Sequence, residues 1–154
     1  MAGMEDLYKE IIMDHYRSPR NRGELLSPPA TRTEGFNPLC GDEIVMYLIV
    51  KDGVLTDIKM TGQGCSISQA SASLMSAAVK GKPLSDVRER IDTFKALMTV
   101  HEAALDGEAS DAVDLRRLGE LAALQGVVKF PVRIKCATLA WNTLIQGLEE
   151  ISPT

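Results

Sequence analysis

Two apolar runs on either side of an Asp-Gly pair constrain this chain more than any other feature. Residues 44–50 are seven consecutive apolar side chains, most of them branched; in residues 54–60, Val54, Thr56, Ile58 and Met60 alternate with Leu55, Asp57 and Lys59. Both patterns read as strands. Asp52-Gly53 between them tolerates the positive φ angles of a tight hairpin, so the pair is expected to be antiparallel. Residues 31–36 are more polar and are read as a third strand beside the first.

After Met60 the apolar period changes from two to three and four. Ile67, Ala70, Leu74 and Ala77 mark one helix, and Val87, Ile91, Phe94 and Met98 mark a second. Gly81-Lys82-Pro83-Leu84-Ser85 separates them, with a glycine to end one helix and a serine placed to cap the next. A third helix is expected over residues 115–124. Val132, Cys136, Leu139 and Thr143 share a face of a last helix, expected to end near Gly147. At the other end, Leu7, Tyr8, Ile11, Ile12 and His15 line an amphipathic helix over residues 5–16. Ser18-Pro19 stops it, Ser27-Pro28-Pro29 extends the break, and the basic run from Arg17 to Arg22 reads as a solvated helix end. Strands followed by helices predict an α+β domain: a three-stranded antiparallel meander with helices packed on one face.

At 154 residues the chain fits one domain, residues 1–154, with an acidic insertion at about 99–114. A formal net charge of -4 argues against nucleic-acid binding, which demands clustered Lys and Arg. No segment reaches the roughly 18 uninterrupted apolar residues of a membrane span, and the first residues lack a secretion signal, so the expected location is the cytoplasm, away from membranes. The 3 cysteines cannot all pair with one another, and disulfides are rare in a reducing compartment. Metal binding or sulfur chemistry is what remains for them.

Cys40-Gly41-Asp42 precedes the first strong strand, with a glycine that lets the backbone turn both side chains toward one point. Cys65 follows Gly62-Gln63-Gly64 at the junction of the second strand and the next helix, where free amides and the helix dipole favour an anion. Antiparallel pairing brings the start of one strand beside the end of the other, and so Cys40 toward Cys65. Cys136, on the apolar face of the last helix, reads equally as inert packing or as a further ligand. Three thiolates and a carboxylate suit a tetrahedral zinc or an iron-sulfur species, leaving excess negative charge for Arg133 or Lys135 to balance. Spacing does not choose between the two. His15 is read as a partly packed helix residue and His101 as a solvated one.

The segments Leu7-Tyr8-Lys9-Glu10-Ile11-Ile12-Met13-Asp14-His15-Tyr16, Pro19-Arg20-Asn21, Asn37-Pro38-Leu39-Cys40-Gly41-Asp42, Gly62-Gln63-Gly64-Cys65-Ser66-Ile67-Ser68 and Ile134-Lys135-Cys136 together resemble the IscU/NifU-type iron-sulfur cluster assembly proteins. The resemblance implies that Cys40, Asp42, Cys65 and Cys136 form the metal or cluster site. It also implies a cysteine desulfurase of the SufS type as partner, with cluster assembly or apo iron-sulfur proteins downstream. Scaffold members carry a histidine before the third cysteine and a Leu-Pro-Pro-Val-Lys motif; here those positions read Lys135 and Phe130-Pro131-Val132-Arg133. These departures, with the insertion, resemble the SufU branch, whose members bind zinc and relay sulfur. The expected function is a zinc-dependent sulfurtransferase in which Cys40 accepts persulfide sulfur and Arg133 stabilises the anionic site. The alternative is a scaffold holding a transient [2Fe-2S] cluster.

Overall fold

The hairpin dictated by Asp52-Gly53 is the centre of the molecule. In a computed structural model, which describes residues 2–27, 29–38, 41–105 and 119–151, Asp52 and Gly53 both adopt positive φ, 52° and 75°. They join β2 (Asp42–Lys51) to β3 (Val54–Gln63), and β1 (Thr31–Asn37) lies on the far side of β2. All neighbours are antiparallel, in the order β1-β2-β3. The three-stranded α+β meander expected from the apolar pattern is therefore present.

The helices are α1 (Ala2–Arg17), α2 (Ser66–Val79), α3 (Leu84–Leu105) and α4 (Pro131–Ile151), with a 3₁₀ segment over Gly119–Lys129. Ile44, Met46 and Leu48 from β2 and Ile58 and Met60 from β3 are buried with Leu74, Met75, Phe94, Trp141 and Leu144 from the helices. Phe94 and Trp141 stack with ring centroids 4.2 Å apart and planes within 7°. The Trp141 Nε1–H donates to Ser71 Oγ at 3.1 Å, and the Ser71 hydroxyl donates to the Ala137 carbonyl at 2.6 Å. This satisfies the polar groups that burial of a tryptophan and a serine would otherwise strand.

Several positions differ from the sequence expectation. Gly147 does not end the last helix, which continues to Ile151. A Cβ there would lie 2.6 Å from Leu48 Cδ1 and 3.0 Å from Thr33 Cγ2, so this glycine permits close approach of α4 to the sheet. Val132 is 65% exposed and is not part of the buried face that holds Cys136, Leu139 and Thr143. Ser85 lies in the first turn of α3 rather than capping it, because the helix starts at Leu84. Residues 99–105 of the expected insertion lie within α3, and 106–114 fall outside the described residues. Of the expected helix over 115–124, residues 119–124 wind as 3₁₀ turns, and 115–118 fall outside the described residues.

The run from Arg17 to Arg22 also does more than face solvent. Met60 N donates to the Asn21 carbonyl and Gly23 N to the Met60 carbonyl, both at 3.0 Å, so the segment covers one end of the β3 edge. Gly81 and Lys82 bond to Leu55 and cover the other end. A strand edge blocked in this way offers no free template for pairing with another chain. His15, expected to be partly packed, is 2% exposed. Its Nδ1 lies 2.7 Å from Ser73 Oγ and its Nε2 lies 3.0 Å from Glu120 Oε2, which ties α1 to α2 and to the 3₁₀ segment. Among the described residues no helix is long and apolar enough to cross a membrane.

Candidate metal centre

At one end of the sheet the β1–β2 turn, the exit of β3 and the first turns of α4 converge. Asn37 closes β1 and pairs in register with Asp42, which opens β2. Gly41 N donates to the Asn37 carbonyl at 2.9 Å, and Gly41 has φ 70°, the left-handed conformation that suits a glycine. Glu43 pairs with Gln63, which places Asp42 beside the strand end that leads into Cys65.

Cys65 caps α2. Its Sγ accepts a hydrogen bond from Ser68 N at 3.4 Å, so the sulfur takes up one of the unpaired amides at the helix start. Its own N–H donates to Asp42 Oδ1 at 3.0 Å. Asp42 and Cys136 are both fully buried, while Cys65 is half-buried. Gly64 lies against the aspartate, and a Cβ there would fall 3.0 Å from Asp42 Cγ and against Oδ1. The glycine thus leaves room for the carboxylate to point inward.

One donor atom from each of Asp42, Cys65 and Cys136 lies within 4.8 Å of the others. Arg133, one turn before Cys136 on α4, faces both sulfurs. Its guanidinium holds its proton more tightly than usual, first through a side-chain hydrogen bond to Cys136 and then through the charges of Cys65 and Cys136. A cation beside a thiol pair offsets the negative charge that two thiolates and a carboxylate would gather. Zinc–sulfur bonds of about 2.3 Å and zinc–oxygen bonds of about 2.0 Å set the donors of a tetrahedral ion roughly 3.5–3.8 Å apart. Donors already within 4.8 Å of one another close to that spacing with side-chain shifts of about 1 Å or less, so the residues present fit a thiolate-preferring ion.

The sequence singled out Cys40, Asp42, Cys65, Cys136 and Arg133. Four of these come together, and Cys40 lies outside the described residues. Asn37 was not singled out as a site residue. It is 6% exposed, and its Nδ2 donates to Asp42 Oδ2 at 3.3 Å and lies 3.9 Å from Cys136 Sγ. Only the β1–β2 register reveals this, because it sets Asn37 opposite Asp42.

Fold and site together define an α+β domain carrying a thiol and carboxylate cluster at the convergence of a sheet end and two helices. Residues 7–137 match the NifU-like N terminal domain family. The chain is 42% identical over 148 residues to the zinc-dependent sulfurtransferase SufU of Bacillus subtilis (strain 168), covering 96% of this chain and 92% of that one. It is 39% identical over 146 residues to the iron-sulfur cluster assembly scaffold protein IscU of Thermotoga maritima, covering 95% of each. A crystal structure from Fervidobacterium islandicum AW-1, described as a candidate iron-sulfur cluster assembly scaffold for the SUF system, superposes with a TM-score of 0.77. That match has 31% identity and covers 95% of this chain and 99% of that one. The chain belongs to the NifU-like N terminal domain family, in the SufU branch of its IscU/NifU-type members.

Proposed function

We propose that this protein serves iron-sulfur cluster biogenesis as a zinc-dependent sulfur acceptor that takes persulfide sulfur from a cysteine desulfurase. The observation that carries this reading is the grouping of Asp42, Cys65 and Cys136 within 4.8 Å beneath Arg133. Cys40, two residues ahead of Asp42, supplies the fourth ligand. When bound, zinc holds the thiols in their nucleophilic thiolate form at neutral pH.

Cys65 is fixed at the start of α2 and Cys136 within α4, whereas Cys40 precedes the glycine turn at Gly41, which makes Cys40 the group best placed to react. Its thiolate attacks the outer sulfur of the donor persulfide. A sulfur–sulfur bond forms to Cys40, the sulfur–sulfur bond of the donor breaks, and the donor cysteine leaves as a thiolate. No net oxidation occurs, and Arg133 stabilises the anionic charge at the site throughout. The similarity to a protein named a zinc-dependent sulfurtransferase supports this reading.

The second reading, a scaffold for a [2Fe-2S] cluster handed on to apo-proteins, is favoured by the similarity to proteins named as scaffolds. A two-iron cluster divides its four ligands between two metals and needs a wider spread than one ion. Three donors within 4.8 Å therefore support the single ion. The test mixes the purified protein with a cysteine desulfurase, cysteine and a reductant. Sulfide release rises with the native protein, and Cys40→Ala abolishes the rise. Undiminished stimulation by Cys40→Ala rules out the acceptor role, while anaerobic reconstitution to a coloured, transferable cluster selects the scaffold.

A further inference from the structure

Asp42 is fully buried, and each of its oxygens meets a different donor: Oδ1 the backbone N–H of Cys65, Oδ2 the side-chain amide of Asn37. The same amide nitrogen lies 3.9 Å from Cys136 Sγ, within reach of the weak hydrogen bonds that sulfur accepts. Asp42 Oδ2 and Cys136 Sγ are both acceptors, so the amide is oriented with its donor side toward the cluster.

We infer that Asn37 is a positioning residue of the metal centre, whose single amide nitrogen orients Asp42 and Cys136 toward one ion. The inference rests on the reading of Asp42, Cys65 and Cys136 as metal ligands. The geometry is selective about side chain. A leucine would leave Asp42 Oδ2 without its donor in a buried setting, and an aspartate would set a second carboxylate against the first. Alanine removes the donor but keeps the strand. The turn itself depends on the Asn37 backbone carbonyl, which accepts from Gly41 N and survives any substitution of the side chain. The strand pattern explains how a polar group reaches the site: Thr33 and Asn37 on the helix side of β1 are buried, while Arg32, Glu34 and Phe36 face outward. Partners that orient metal ligands in this way commonly contribute ten- to a hundredfold, roughly, in metal affinity.

The experiment compares the full-length native chain with Asn37→Ala, Asn37→Asp and Asn37→Ser. Zinc affinity is measured by competition with a chromophoric chelator, the cobalt(II) spectrum reports the ligand field, and circular dichroism gives the melting temperature of the metal-free forms. Asn37→Ala should weaken zinc by about ten- to a hundredfold. Asn37→Asp should weaken it further, and Asn37→Ser, which serves one acceptor at a time, should fall between native and alanine. The cobalt d–d bands should shift in all three, a change that a purely structural asparagine would not produce. Zinc affinity within about twofold of native, with an unchanged cobalt spectrum, in either the alanine or the serine variant overturns the inference even if the melting temperature falls. Failure of the native chain itself to bind zinc or cobalt overturns the ligand set, and this inference with it.

Discussion

Single side chains at the centre act through steric room as much as through charge. Gly64 has no Cβ, and adding one would press on the Asp42 carboxylate, with Asp42 Cβ at 3.1 Å as well as Cγ at 3.0 Å. Asp42 cannot retreat, because it is fully buried and held by Cys65 N–H and Asn37. Gly64→Ala should destabilise the fold by about 1–3 kcal/mol through overpacking. It should also weaken zinc by about tenfold or more through displacement of the carboxylate. Urea denaturation of the metal-free protein and chelator competition measure the two effects separately. Native zinc affinity in Gly64→Ala would show that Asp42 does not hold the ion.

Among the elements, α4 carries the most: it presents Cys136 and Arg133 near its start, Trp141 to the core at mid-length and Gly147 to the sheet. Two opposing effects meet at Gly147. Replacing a mid-helix glycine by alanine favours the helix by about 0.5–1 kcal/mol. Here the new methyl group would stand 2.6 Å from Leu48 Cδ1, and Leu48, 1% exposed, has little space to yield. Overpacking of this kind costs about 1–3 kcal/mol and should win. Gly147→Ala is therefore expected to lower the urea midpoint, with single-tryptophan fluorescence from Trp141 following the transition.

At the scale of the whole molecule, the donors tie together parts distant in the chain: the start of β2, the start of α2 and the first turns of α4. An ion held there binds the folded chain and has no comparable site in the unfolded one, so it adds to stability by mass action. At a thousandfold excess over the dissociation constant that amounts to about 4 kcal/mol. For a domain of this size, 1 kcal/mol corresponds to roughly 2–4 °C in melting temperature. Stripping zinc with a chelator should thus lower the melting temperature by about 8–16 °C, and Asp42→Ala should show a much smaller drop. Equal melting temperatures with and without metal in the native protein would contradict a resident ion.

Most of the architecture was legible in the amino-acid order because its signals are local. Alternation over 54–60, the Asp52-Gly53 pair and the three- and four-residue spacing after Ile67 each act within a few residues, and backbone geometry enforces them whatever lies elsewhere. Cys40, Asp42, Cys65 and Cys136 were named as a set through the family resemblance, and three of them, Asp42, Cys65 and Cys136, lie together in the folded chain. What the order of residues left open depends on contacts between remote segments. The use of Gly147 follows from how closely α4 approaches Leu48, the burial of His15 from its partners Ser73 and Glu120, and the placement of Asn37 from its register opposite Asp42. These are properties of distance in space, which one-dimensional periodicity does not encode. The residue types able to hold an ion were therefore set by the chain alone. Tertiary packing decided that Asp42, Cys65 and Cys136 meet beneath Arg133 with Asn37 beside them, because only folding fixes the separation of groups so far apart along the backbone.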